Sequence, residues 1–294
     1  MRITNTIIQQ NAKLALQQNL QRVARAQTQS SSGQRFERFS DDPQAQSNVM
    51  QSASSLRALD QYRRNINDAT ARANQEDGVL QRLTDLLDRA REIAVQQGSS
   101  TATPSTRASA QAEVDGLLDA VVQLGNTKYG DGYLFGGDNT TTAPVSNAPP
   151  FYTTPTAPSG AHTTEIAAGQ LFKSNHNAKE LLLDTNVLQS LKSLSAALGS
   201  GNVTAVSTTI TSITDAQSSL QSMVSDLGAR VNQLDVTGAN LDALETNLKT
   251  FKSNLSEVDQ AEALTDLVNR QTAYQSAMLA TSRVIGLTLT DYLK

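Results

Sequence analysis

The sequence predicts a mainly α fold: an elongated antiparallel helical bundle, or coiled-coil rod, made from both the N- and C-terminal halves, with a small β-rich insertion. Three observations predict it. In the first half, Leu59, Tyr62, Ile66, Ala69, Ala73, Leu80, Leu83, Leu87, Ala90 and Ala94 follow alternating steps of three and four, and only Glu76 interrupts the series. In the second half, Leu241, Leu244, Leu248, Phe251, Leu255 and Val258 repeat that spacing, and after a phase break Leu264, Leu267, Tyr274, Met278 and Ile285 resume it. Between the halves, five of the seven prolines fall from Pro144 to Pro158, which excludes helix there. A seven-residue apolar repeat makes a stripe that only another helix can bury.

The elements follow in order. Residues 1–30 carry a weak helical pattern, with Ile7, Ile8, Leu14, Leu16, Leu20 and Val23 set among Gln and Asn, and Ser30-Ser31-Ser32-Gly33 ends it. In Asp41-Asp42-Pro43, Asp42 suits the N-cap, and Pro43 suits the first helical position because its absent N–H needs no partner there. A long helix is predicted to run to about Gln97, with Gly98 as a left-handed cap. Thr103-Pro104 repeats the start signal. The next helix carries Ala110, Val114, Leu117, Val121 and Leu124, and is expected to end near Tyr129-Gly130-Asp131-Gly132. A short turn joins these two helices, so they should form an antiparallel hairpin.

Tyr133-Leu134-Phe135 before Gly136-Gly137 reads as a short strand and turn, and Thr163–Ile166, Gln170–Phe172 and Glu180–Leu183 are strand candidates. Helix resumes over Val187–Leu198, then from Val203 to the end with possible breaks at Gly228 and Gly238. The spacing and composition divide the chain into a terminal segment of paired helices (1–42 and 262–294), a helical rod (43–137 and 185–261) and a β-rich insertion (138–184). Residues 44–97 and 241–258 are expected to form a self-sufficient bundle core. Each terminal helix is too polar to be stable alone, so the two should order against each other or against neighbouring subunits.

Composition removes several functions. A net charge of −4 and pI near 5.3 give no basic field for nucleic acid. No cysteine is present, which excludes thiol chemistry and cysteine-based metal sites. His162 and His176 lack metal-ligand spacing and are expected to be exposed loop residues. Gly130-x-Gly132-x-x-x-Gly136 lacks the Lys-Ser/Thr of a phosphate loop and follows a helix, so its glycines belong to turns. No zinc-protease or nucleophile-elbow motif occurs, and neither enzymatic activity nor a cofactor is expected. Met1-Arg2-Ile3-Thr4-Asn5 lacks the apolar core of a secretory signal, and no run reaches the length of a membrane span.

Several motifs together resemble the flagellin superfamily and, within it, the hook–filament junction branch of hook-associated proteins. They are Met1-Arg2-Ile3-Thr4-Asn5, Ser31-Ser32-Gly33-Gln34-Arg35, Ser40-Asp41-Asp42-Pro43, and Tyr133-Leu134-Phe135-Gly136-Gly137 before a Thr-rich stretch. Pro43, where filament flagellins carry Asp-Asp-Ala, favours the junction branch over a filament-forming flagellin. The resemblance implies an extracellular structural protein of the bacterial flagellum, exported without a cleaved signal peptide. It implies a ring of copies set between another hook-associated protein and flagellin, and a cytosolic export chaperone on the C-terminal segment. The terminal helices would then pair and meet their neighbours through Ile7, Leu14, Leu16, Leu20, Val23, Leu264, Leu267, Tyr274, Met278, Ile285 and Leu289.

Overall fold

A computed structural model describes residues 2–36, 38–99, 102–146 and 160–290, with the backbone alone at 2–6, 8 and 284–290. Its helices are α1 (Arg2–Ser32), α2 (Pro43–Gln97), α3 (Pro104–Gly125), α4 (Val187–Ser200), α5 (Val203–Ser256) and α6 (Gln260–Thr290). Two antiparallel hairpins, β1 (Lys128–Tyr129) with β2 (Gly132–Tyr133) and β3 (Thr163–Ala167) with β4 (Gln170–Lys173), lie between α3 and α4. The chain divides into two compact units, Met1–Ala58 with Ala243–Lys294 and Leu59–Asp242, and the division falls within α2 and α5.

Helix starts follow the local chemistry. Asp42 Oδ1 accepts the Ala45 N–H at 3.0 Å, so the Asp42-Pro43 start is the one predicted. Thr103 and Thr106 form a reciprocal capping box ahead of Pro104. Helix α2 ends at Gln97 as expected, but Gly98 is not among the residues of positive φ, so the helix closes without a left-handed cap. Helix α3 stops at Gly125, short of the predicted end, and the next residue, Asn126, turns its side chain to the Val145 backbone, donating to its O at 2.8 Å and accepting from its N–H at 3.0 Å. Glycine fits at 125 because a β-carbon there would lie 2.8 Å from Leu182 Cδ1 and 3.0 Å from Val145 Cγ2. The Tyr129–Gly132 stretch instead turns a two-residue hairpin.

The core of the second unit lies among α2, α3, α4 and α5. The α2 stripe is buried as predicted, from Leu59 through Ala69 and Leu83 to Ala94, with Tyr62 half-buried. Its partner on α5 is not the predicted one. Val206, Thr209, Ile213, Ala216, Leu220, Leu227, Leu234, Thr237 and Leu241 are buried at heptad spacing, whereas Leu244 and Phe251 are about half exposed at 46% and 49%. The 241–258 stripe is therefore no core seam beyond its first residue. Neither Gly228 nor Gly238 interrupts α5. Truncating Leu83 to Ala should cost about 2–5 kcal/mol of stability, while Leu244→Ala should cost under about 1 kcal/mol, as read from urea midpoints.

Two contacts fix the α2–α5 pairing. Arg63 pairs with Asp242, and Gln217 Nε2 donates to Asp88 Oδ1 at 2.7 Å. The sequence distance between the two contacts is the same on both helices, so the pairing is antiparallel and in one register. Helices α3 and α4 also run antiparallel: Ser195 Oγ donates to Asp115 at 2.6 Å, and Gln111 lies against Gly199. Arg89 of α2 meets Glu113 of α3 at 2.7 Å, which fits the predicted hairpin.

The strand candidates at 163–166 and 170–172 form β3 and β4, but 180–183 does not form a strand. Lys179–Asp184 is a π-helix, and the Lys179–Asp184 ion pair at 2.6 Å spans its five-residue repeat. Leu181 and Leu182 are both buried, as adjacent residues on a half-covered strand would not be.

His176 overturns its assignment as an exposed loop residue: it is buried, and His162 is half-buried. Residues 174–178 thread into the bundle with every polar side chain engaged. Ser174 Oγ donates to the His162 carbonyl at 2.9 Å, Asn175 Nδ2 to Leu134 O, and Asn177 Nδ2 to Gly160 O at 3.1 Å. His176 Nδ1 lies 2.5 Å from the fully buried Glu76 carboxylate, and Nε2 lies 3.2 Å from Asp226. Glu76 interrupts the α2 stripe because it is one half of this buried pair. Burial, reinforced by Arg72, holds the His162 imidazole below its ordinary range against the pull of Asp68. Burial also pushes the Glu180 carboxyl up, but Lys173 at 2.7 Å and the Asn177 N–H outweigh it and hold that group below the usual carboxylate range.

Candidate assembly surface

The first unit is built from the two terminal helices and the parts of α2 and α5 that join them. Helix α1 ends at Gly33, whose φ of +69° is left-handed and whose added β-carbon would meet Gln260 Nε2 at 3.3 Å. Both facts favour glycine at this position. The chain then bridges Gln34 to Glu257: Arg35 N–H donates to Ser256 O at 2.8 Å, and Val258 N–H to Gly33 O at 3.0 Å. Asp259 Oδ1 accepts the Ala261 N–H at 2.8 Å and so caps α6. The bridge joins the end of α1 to the start of α6, so the two helices pair antiparallel.

Their seam is thin. On α1 the covered or partly covered positions include Ala12, Leu16, Asn19, Val23 and Ala26; on α6 they include Ala263, Leu267, Arg270, Tyr274 and Ala277. Only the alanines Ala26 and Ala263 are fully buried in this seam. Larger apolar groups point elsewhere. Ile7, Leu14 and Leu20 on α1, and Leu264, Val268, Met278 and Leu279 on α6, are exposed, with Leu14 at 55% and Leu264 at 52%. At about 100° of rotation per residue, Leu264, Val268, Met278 and Leu279 form a second stripe centred about a third of a turn from the seam. Among the described residues, eleven of the fifteen exposed large apolar side chains belong to this unit, and Phe39, Met50, Leu244 and Phe251 complete the set.

The predicted interface residues are therefore sorted by the fold. Leu16, Val23, Leu267 and Tyr274 sit half-buried in the α1–α6 seam; Ile7, Leu14, Leu20, Leu264 and Met278 are open. The side chains of Ile285 and Leu289 lie outside the described residues. Sequence spacing did not pick out Val268 and Leu279, which sit beside heptad positions rather than on them. Counting apolar residues off the heptad frame would have found them, since a face wider than one seam serves more than one partner. Full burial of a Leu or Ile contributes about 1.5–3 kcal/mol, so about half of that is still to be gained at each open position.

Among the described residues no three His, Asp or Glu side chains are grouped to hold a metal, and no helix is long and apolar enough to cross a membrane. What the unit offers is helical surface. Residues 3–140 match the bacterial flagellin N-terminal helical region, and residues 203–293 match the flagellin C-terminal helical region. The chain belongs to the flagellin family. The family and the relatives it matches are structural proteins of the bacterial flagellum.

Individual relatives refine the placement. Flagellar hook-associated protein 3 of Escherichia coli is 31% identical over 144 residues, which is 46% of this chain and 45% of that protein. Flagellin of Salmonella typhimurium is 33% identical over 116 residues, covering 39% of this chain and 23% of its own length. The match thus spans less than half of each relative. Among solved structures, Bacillus cereus FlgL aligns with a TM-score of 0.58 at 23% identity, covering 69% of this chain and 98% of that one. That likeness concerns the fold.

Proposed function

We propose that this chain is an axial subunit of the hook–filament junction, outside the cell, where a ring of copies links another hook-associated protein to flagellin. Residues 1–42 and 262–294 serve as the assembly segment, 43–137 and 185–261 as the helical body, and 138–184 as the outward insertion. One observation carries the reading: the first unit holds most of the chain's exposed large apolar side chains, on helices whose mutual seam buries little more than alanine. Soluble proteins seldom leave such faces uncovered unless a partner covers them. The outer stripe, with Leu264 and Met278, and the far face of α1, with Ile7 and Leu14, take neighbouring subunits. Before export, a cytosolic chaperone covers the C-terminal segment for the same physical reason. The hook-associated relative, matched over more residues than the flagellin, favours the junction over a filament subunit.

Deletion with fractionation tests the role. Loss of the chain should leave hooks intact, remove filaments and release flagellin into the medium. Filaments retained in the deletion strain would contradict it. Long filaments grown from the purified chain alone would assign it instead as a filament-forming flagellin.

A further inference from the structure

The paired helices α2 and α5 carry a problem that their apolar residues do not solve. On α5, Ile213, Leu220, Leu227, Leu234 and Leu241 recur every seven residues, and all but Ile213 are leucine. On α2, Leu80 and Leu87 stand in the same relation. Sliding α5 along α2 by one heptad lays leucine where leucine was, so hydrophobic burial barely separates the right register from its neighbours. About 105 residues of chain separate the two helices, and closing so long a connection costs nearly the same for neighbouring registers.

Each seam has one charged core position. Glu76 holds it on α2 and is fully buried. On α5 it is Arg230, three residues after Leu227 and four before Leu234. Counted from either the Arg63–Asp242 or the Asp88–Gln217 contact, Glu76 falls at the level of Ala229 and Arg230. Between them sits His176 from the return of the insertion. Its Nδ1 is 2.5 Å from Glu76 Oε1, and its Nε2 is 3.3 Å from Arg230 Nη2 and 3.2 Å from Asp226 Oδ2. Asp226 pairs with Arg230 at 2.6 Å.

We propose that Glu76, His176 and Arg230 form a register lock, a buried polar layer that selects one alignment of α2 with α5 and ties it to the docking of residues 174–178. In a one-heptad slip, Arg230 would face Leu83 or Ala69, and Glu76 would face Met223 or Thr237. Glu76 would then lie in an apolar seam without a partner, and Arg230 would keep only Asp226 of its own helix, which is far worse than exchanging one leucine for another. The layer selects rather than stabilises. Arg230 Nη1 is itself buried without a hydrogen-bond partner among the described residues, a cost that an apolar seam would not carry. His176 comes from neither helix, so the lock closes only when the insertion has returned to the bundle.

The absence of native cysteine allows a direct test. In the full chain, Asp88→Cys with Gln217→Cys reports the native register, and Asp88→Cys with Ile210→Cys or Val224→Cys reports a slip of one heptad either way. A short bismaleimide should join only the 88/217 pair when the lock is intact. In a Glu76→Leu/His176→Leu/Arg230→Leu background, cross-linking of a slipped pair should rise about tenfold or more, with helical circular dichroism and a cooperative melt retained. The Glu76→Leu/Arg230→Leu double variant should behave in the same way. Cross-linking still confined to 88/217 in both backgrounds would overturn the proposal. So would loss of the helical fold in both, because that would make the layer a source of stability rather than of selection.

Discussion

A chain carrying Leu14→Glu together with Leu264→Glu is expected to fold as the parent does and to fail in the flagellum. Both side chains are more than half exposed, at 55% and 52%, so a carboxylate at either position stays in water in the free chain. Such surface substitutions change stability by about 0.5 kcal/mol or less, and the melting temperature should hold. Assembly changes the cost. If each position is covered by a neighbouring subunit, each variant buries an unpaired carboxylate, at a cost of about 3–5 kcal/mol, or roughly two to four decades of association constant. Motility of a deletion strain should therefore be restored by the parent gene and not by the double variant. Restored swimming at parental speed would show that these faces stay in solvent.

The second large effect concerns the buried layer. His176→Ala leaves the Glu76 carboxylate at 0% exposure without the imidazole that now sits 2.5 Å away. Removing one partner of a buried pair costs about 3–5 kcal/mol, because the other charge stays behind uncompensated. Replacing Glu76, His176 and Arg230 together by leucine should cost far less, since no charge of the pair then remains. The contrast is read from urea midpoints of the two variants against the parent. Equal losses in both would mean that the layer contributes mainly through packing.

How much of this was legible in the sequence depended on whether the deciding contact was local. The α2 stripe and the Asp42-Pro43 start were legible because helical spacing and an N-cap lie within a few residues of each other. The strands at 163–167 and 170–173 were legible for the same reason. The seam of α5 from Val206 to Leu241 was not, because Thr209, Met223, Arg230 and Thr237 hold alternate core positions and dilute the aliphatic signal. The apolar run 180–183 fits strand and helix equally, and the Lys179–Asp184 pair that favours the π-turn carries no periodicity of its own. Nothing near His176 points to a residue a hundred positions away, so its burial against Glu76 required the fold. On α6 the heptad merged two faces, since Leu267 and Tyr274 belong to the intrachain seam while Leu264 and Met278 lie on the outer stripe.

The outer faces of α1 and α6 are open in the free chain and, in the proposed junction, covered in the flagellum. Single cysteines at Leu14, Leu20, Leu264 and Met278 in this cysteine-free chain measure it, by the rate of maleimide labelling in the purified subunit and in intact flagella. All four should label rapidly in the free subunit and at least about tenfold more slowly after assembly. Equal rates in the two states would contradict it.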